Sequence, residues 1–62
     1  GIVNLEIEGS YQYEILSIQG ASIIRSIADG DETIDLTGLN SGIYMIRVSK
    51  DSKYKLIKLV KI

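Results

Sequence analysis

The side chains best suited to chemistry in this sequence are carboxylates, and the first group lies near the start of the chain. Glu6, Glu8 and Glu14 fall at even-numbered positions. Paired carboxylates can act as general acid and base where the protein shifts their pKa values. On alternating strand positions, however, these three are expected to share a solvated face, and 62 residues leave little room for a deep pocket. Acid–base catalysis is therefore not expected.

A second acidic group, residues 29–32, reads Asp-Gly-Asp-Glu and suggests a calcium loop. A calcium-binding loop of the helix–loop–helix type distributes its ligands over about twelve residues, with Gly at the sixth. Residues 29–32 do not fit that spacing. A tight turn accounts for Asp29 and Gly30, because both tolerate the left-handed backbone that short turns need. We therefore interpret this segment as a turn.

The residue types that most enzymes and metal sites use are absent. The chain contains no His and no Cys, so it lacks the usual general base, the thiol nucleophile, the typical zinc ligands and any disulfide. Its six glycines are scattered through turns and form no phosphate-binding loop between a strand and a helix. We expect no catalytic residue, no metal and no cofactor.

Four tyrosines are the remaining candidates for ligand contact. Aromatic rings on a sheet can stack on nucleobases, but the net charge of −1 argues against a nucleic-acid partner. Most of these rings fall on faces expected to be core, where tyrosine serves as a large apolar residue with its hydroxyl at the rim. A sugar-binding strip of Tyr11, Tyr13 and Tyr54 is the alternative.

The elements that position these side chains are strands. Ile occurs twelve times and Pro never, and apolar residues alternate with polar ones between turn-forming Gly, Asn, Asp and Ser. No apolar run is long enough for a transmembrane helix. The pattern predicts an all-β, immunoglobulin-like Greek-key sandwich of six to seven antiparallel strands. Six strands are predicted over residues 2–8, 11–17, 21–27, 32–36, 42–49 and 53–61.

The connections and core positions also follow from the pattern. Turns are predicted at residues 18–20 and 50–52, and Asp29-Gly30 is a strong signal for a short hairpin. Strand 21–27 carries three isoleucines, and a leucine in the loop after residue 36 is expected to fill part of the core. These residues are Ile23, Ile24, Ile27 and Leu39.

Charge is distributed unevenly along the chain. Residues 1–42 hold one Arg and seven acids (net −6), whereas residues 43–62 hold six basic residues and one Asp (net +5). One interpretation places the basic last strand beside an acidic strand such as 2–8, where lysines also discourage aggregation. Another presents residues 53–61 to a partner as an edge strand. A third is a homodimer formed through the same edge.

Residues 34–48 read I-D-L-T-G-L-N-S-G-I-Y-M-I-R-V. This segment resembles the signature I-D-L-x-x-L-x-x-G-x-Y-x-V-x-V of type A C-terminal sorting domains of the type IX secretion system. The matching positions are Ile34, Asp35, Leu36, Leu39, Gly42, Tyr44, Ile46 and Val48. Residues 13–20, which end at Gly20, resemble an upstream family element, with Ser17 replacing its Asp. The family's terminal lysine-bearing motif is matched by Lys58, Leu59, Val60 and Lys61.

The resemblance implies that residues 1–62 form one sorting domain. The family usually begins with Asn-Pro and this chain contains no Pro, so the extreme N-terminal edge is expected to be lacking. Such a domain follows an N-terminal passenger protein of a Gram-negative bacterium. It directs the passenger from the periplasm through an outer-membrane translocon to the cell surface or the medium. A sortase-like protease then removes it, and the passenger is joined to lipopolysaccharide.

The same resemblance implies a signal and not an enzyme, with no insertion into the membrane by the domain itself. Partner recognition is expected at Lys58, Leu59, Val60 and Lys61, whereas Gly20 and the residues of the 34–48 signature are expected to be largely structural. The competing interpretation is an immunoglobulin-like binding or spacer module of a surface protein, with carbohydrate as its candidate ligand.

Overall fold

Strands make up the whole regular structure of the protein. A computed structural model describes residues 1–62 and contains no helix, and therefore none that could span a membrane. The six strands are β1 (Ile2–Leu5), β2 (Ser10–Ser17), β3 (Ser22–Asp29), β4 (Glu32–Asp35), β5 (Gly42–Lys50) and β6 (Lys53–Lys61). All six predicted strands are present. The first is shorter than predicted, because it ends at Leu5 and not at residue 8.

The strands form two antiparallel sheets that share one core. The larger sheet has the order β3-β2-β5-β6, and the smaller sheet contains only β1 and β4. Both sheets contribute side chains to a single apolar cluster, which confirms the prediction of an all-β sandwich. Its buried members are Leu5, Tyr11, Tyr13, Ile15, Ala28, Ile34, Leu36, Tyr44, Ile46 and Val48.

The turn at Asp29-Gly30 does not form the hairpin that its sequence indicates. β3 pairs with β2 and β4 pairs with β1, so this turn carries the chain from one sheet to the other. Gly30 has a φ of 83°, and its N–H donates to the carbonyl oxygen of Gly9, 3.0 Å away, at the β1–β2 crossing. The two crossings thus stabilise each other. The local sequence specified a turn but not the partner of each strand.

A bulge in the pairing of β2 with β3 sets which residues of β3 face the core. Ile15 pairs with Ile24, but the next residue of β2, Leu16, pairs with Ser22, so β3 has one extra residue at this point. Counting in twos from Ile24 then places Ala28 in the core. Ile27 is 77% exposed on the opposite face. Of the isoleucines of β3, Ile24 therefore packs against the core, whereas Ile27 lies on the outer face.

β6 is an edge strand, and its only neighbour is β5. The prediction that it lies beside the acidic strand 2–8 is wrong, because β1 belongs to the smaller sheet. β6 lies beside β5 because the two-residue turn at Asp51 and Ser52 joins these strands as a hairpin. No other strand pairs with the far edge of β6.

Candidate functional site

The first part of the candidate site is the connection from β4 to β5, at the start of the 34–48 signature. Leu36 is buried, and the N–H of Leu39 donates to the Leu36 carbonyl oxygen over 2.9 Å. Asp35 accepts two hydrogen bonds from Thr37, one from its hydroxyl at 2.5 Å and one from its backbone N–H at 2.9 Å. These bonds hold the pKa of Asp35 below its usual value. The connection is therefore an ordered turn, with Leu39 packed against the core as expected.

Gly42 and Tyr44 fix the point where this connection enters β5. Gly42 has a φ of 157°, which L-residues rarely adopt. Tyr44 is buried between the sheets, and its hydroxyl donates to the carbonyl oxygen of Asn40 over 2.5 Å. Ile46 and Val48 continue the same buried face. The three side chains therefore pack in the core, and Gly42 sets the backbone path into β5.

The second part of the site is the end of β6, which divides into inward and outward side chains. Leu59 packs partly buried against the core. The Lys61 Nζ donates to the carbonyl oxygen of Leu39 over 2.6 Å, which joins the end of β6 to the β4–β5 connection. Lys58 is exposed on the outer face, and Val60 is 59% exposed. The structure thus brings the signature and the lysine-bearing end of the chain into contact.

A cleft of about 280 Å³ lies beside this contact. Residues 1–3 form one wall, residues 59–62 form the other, and Leu36 also contributes. Most of these side chains are apolar. The cleft lies where the first strand of the smaller sheet and the edge strand of the larger sheet approach each other.

Sequence reasoning missed an ion-pair cluster in which two exposed arginines cover a buried carboxylate. Glu14 is only 5% exposed, so its expected place on a solvated face is wrong. Arg25 and Arg47 lie opposite it on β3 and β5, with nitrogen–oxygen distances of 3.0 Å and 2.5 Å. Hydrogen bonds from Ser22 and Arg25 lower the pKa of Glu14 from 4.5 to about 2. The cluster links β2, β3 and β5, and both oxygens of the Glu14 carboxylate are paired. It could be found only once the pairing of these strands was known.

The tyrosines do not form the sugar-binding strip that was considered. Tyr11 and Tyr13 are buried, and their hydroxyls donate to the Gly30 carbonyl oxygen at 2.7 Å and to a Glu32 carboxylate oxygen at 3.4 Å. Tyr54 is 70% exposed on β6. The first two rings are therefore core residues whose polar ends are satisfied, which removes the observation that favoured carbohydrate binding.

The match to known proteins covers the entire chain. Residues 1–62 match the family model described as a secretion system C-terminal sorting domain. Neither a curated protein nor a solved structure matches the chain. Domains of this family are the C-terminal sorting signals of type IX secretion, which implies a signal and not a catalyst, contact with the secretion machinery, and export to the cell surface or beyond. This 62-residue chain belongs to the type IX secretion system C-terminal sorting domains.

Proposed function

We propose that β6 is the part of this sorting signal that the type IX outer-membrane translocon reads, with Lys58, Leu59, Val60 and Lys61 as its recognition residues. One observation carries the proposal: β6 is a free sheet edge whose charge the rest of the fold does not neutralise. Both ion pairs of the protein end on Glu14, and neither involves a residue of β6. An open backbone edge with unpaired cations is suited to contact with another protein.

The four residues contribute in two ways in this proposal. Lys58 and Val60 point away from the core and are available for direct contact. Leu59 and Lys61 hold the strand in place through the core and through the Leu39 carbonyl oxygen. The remaining signature residues and Gly20 shape the fold that presents β6, since they pack in or against the core, hold the β4–β5 connection or adopt a positive φ.

The wider route is proposed from the family. Residues 1–62 act as one sorting unit behind an N-terminal passenger protein, and the passenger crosses the periplasm before it reaches the translocon. A sortase-like protease at the cell surface then separates the passenger from the domain. No residue of this chain acts as a catalyst in these steps.

The test is a fluorescent passenger fused to the N-terminus of the 62-residue chain in a host with an active type IX system. Surface fluorescence is measured for the unchanged fusion, for Lys58→Ala and for the double variant Lys58→Ala/Lys61→Ala. Lys53→Ala is the matched control, because Lys53 is an exposed lysine at the opposite end of β6. A strain that lacks the translocon shows whether delivery depends on this system.

We expect surface delivery of the unchanged fusion and of Lys53→Ala, and loss of delivery for both other variants. Thermal denaturation of the purified domains shows whether each variant is folded, since Lys61 also contacts Leu39. Normal delivery of a folded Lys58→Ala/Lys61→Ala variant would contradict the recognition role of these lysines. Retention of the unchanged fusion in the periplasm would contradict export by these 62 residues.

A further inference from the structure

The free edge of β6 has the features of a surface that accepts another strand. We propose that it takes up an extended, carboxylate-bearing segment of a partner protein as the fifth strand of the β3-β2-β5-β6 sheet. The proposal rests on β6 being the recognition strand and adds how the partner binds and what chemistry it carries. Along the nine residues of β6, every second residue turns its backbone N–H and C=O away from β5. These groups can pair with an added strand.

The lysines of β6 define where the partner carries its carboxylates. In the pairing with β5, Lys55 lies opposite the buried Val48, and Lys61 lies on the same inner side. Lys58 lies opposite Met45 on the outer side. Neither Lys55 nor Lys58 has a carboxylate within ion-pair distance. The two ion pairs of the fold join Glu14 to the arginines of β3 and β5. Opposite charges on directly facing strand positions stabilise a sheet, so an added strand with acids at these three positions fits β6.

The apolar side chains of β6 define the rest of the partner segment. Ile57, 39% exposed, and the half-buried Leu59 lie between the two inner lysines. On the outer side, Leu56 and Val60 flank Lys58 and are 49% and 59% exposed. The inner side of the partner strand should therefore read acid, aliphatic, aliphatic, acid. Its outer side should read aliphatic, acid, aliphatic.

The cleft beside the end of β6 provides space for the inner side chains of such a strand. It has a volume of about 280 Å³ and lies between residues 59–62 and residues 1–3. The smaller sheet has only two strands facing the four of the larger sheet, which leaves the inner side of β6 partly uncovered. An added strand would cover the exposed parts of Ile57 and Leu59.

The edge strands of the larger sheet in a second copy are poor occupants of this edge. Pairing β6 with β6 brings one lysine-rich strand against another, and like charges on facing positions destabilise a sheet. The other free edge of the larger sheet, β3, is a poorer site for an acidic strand. Its only basic residue is Arg25, which already pairs with Glu14. The charge pattern therefore favours an acidic partner at β6 over pairing of β6 with either edge strand of the larger sheet in a second copy.

The proposal is tested with the whole 62-residue chain and two synthetic peptides. Both peptides carry the aliphatic pattern described above, and one has Glu and the other Lys at the three charged positions. Hydrogen exchange of the backbone amides is followed by NMR, and affinity is measured by titration. We expect the Glu peptide to protect amides of β6 and to bind at least about tenfold more tightly than the Lys peptide. Its affinity should fall as salt is added.

Two proline variants separate binding from folding. Lys55 and Leu56 are neighbours, so the N–H of one points towards β5 and the N–H of the other points away. Proline at the position whose N–H points away from β5 keeps the hydrogen bonds to β5, whereas proline at the other position removes one. The variant with the higher melting temperature therefore carries proline at the outward-pointing N–H. The variant that retains the fold should lose binding of the Glu peptide. Ile27→Thr, on the opposite edge, is the control and should bind normally.

Several outcomes would overturn the proposal. Equal protection by the Lys peptide would exclude carboxylate recognition. Protection of β6 amides that increases with protein concentration alone would indicate a second copy. Protection by vesicles of phosphatidylglycerol but not by the Glu peptide would indicate a membrane surface.

Failure of this proposal can be told apart from failure of the proposed function. Export that depends on Lys58, together with no protection of β6 by the Glu peptide, would contradict only strand addition. Protection by the Glu peptide, together with export that ignores both Lys58 and Lys61, would support strand addition and contradict the recognition role in sorting.

Discussion

The ammonium group of Lys61 donates a hydrogen bond to the carbonyl oxygen of Leu39, 2.6 Å away. This bond connects the last residue of β6 to the turn between β4 and β5. The two segments that carry the resemblance to sorting domains are therefore one structural unit. A change at the end of the chain is expected to disturb the signature turn as well as the terminal strand.

Lys61→Met tests the contribution of this hydrogen bond to stability. Methionine keeps an unbranched apolar side chain but cannot donate, so the free energy of unfolding should fall by about 1 kcal/mol. Urea denaturation measures the change. Lys53→Met is the control, since Lys53 is exposed and makes no side-chain hydrogen bond. Equal unfolding midpoints for the two variants would show that the bond contributes nothing.

Gly42→Ala tests the backbone conformation at the start of β5. A Cβ added to Gly42 would meet no atom within 4 Å, so any cost comes from the φ of 157° and not from a clash. We expect a loss of about 1–3 kcal/mol in the free energy of unfolding. Gly38→Ala is the matched control, because that position also has open space and lacks an unusual φ. An equally small effect at both sites would contradict the strain argument.

Ser52→Gly is expected to stabilise the β5–β6 hairpin. Asp51 and Ser52 both have positive φ values, 51° and 64°, as a type I′ turn requires. Glycine removes the steric cost of this conformation at Ser52 but loses more backbone entropy, which leaves a net gain of about 0.5 kcal/mol. Ser52→Val should destabilise the protein, because a β-branched residue fits this conformation poorly. Thermal denaturation of the two variants should therefore move in opposite directions from the unchanged chain.

Acid sensitivity is expected to depend on Glu14. Its pKa is about 2 in the folded chain and 4.5 without the fold, so protonation favours unfolding. The stabilisation from this carboxylate is complete above pH 4.5 and is lost as the pH falls towards 2. Glu14→Gln should lower the melting temperature at neutral pH, because Arg25 and Arg47 lose their shared partner.

The pH series itself separates this effect from general acid denaturation. Between pH 4.5 and 2, the melting temperature of Glu14→Gln should fall less than that of the unchanged chain. Some acid sensitivity should remain, because the pKa of Asp35 is also lowered by its bonds to Thr37. Glu6→Gln, at an exposed position, is the control and should keep the full pH dependence. Parallel curves for Glu14→Gln and the unchanged chain would contradict the role of this carboxylate.

Sequence reasoning located the strands better than their partners. Alternation fixed the inward face of β5, and Tyr44, Ile46 and Val48 are buried as expected. It could not show that Asp29-Gly30 joins two sheets, because a tight turn looks the same whether the next strand pairs with the last one or leaves the sheet.

Long-range contacts explain what was missed at the candidate site. Glu14 looked solvated because its two arginine partners come from strands on either side of β2, and that pairing is not encoded near Glu14 in the sequence. Lys61 was recognised as part of a terminal motif, but its bond to Leu39 depends on how β6 meets the β4–β5 connection. Both features require the complete topology.

The pairing of β2 with β5 also has a consequence for folding kinetics. These strands meet at Ile15 and Ile46, the two most deeply buried large side chains, although β3 and β4 separate them in the sequence. Each flanking hairpin can form locally, but neither buries the core until this distant pair closes. The slow step should therefore be loop closure between β2 and β5, with folding on the millisecond-to-second scale typical of β-sandwiches.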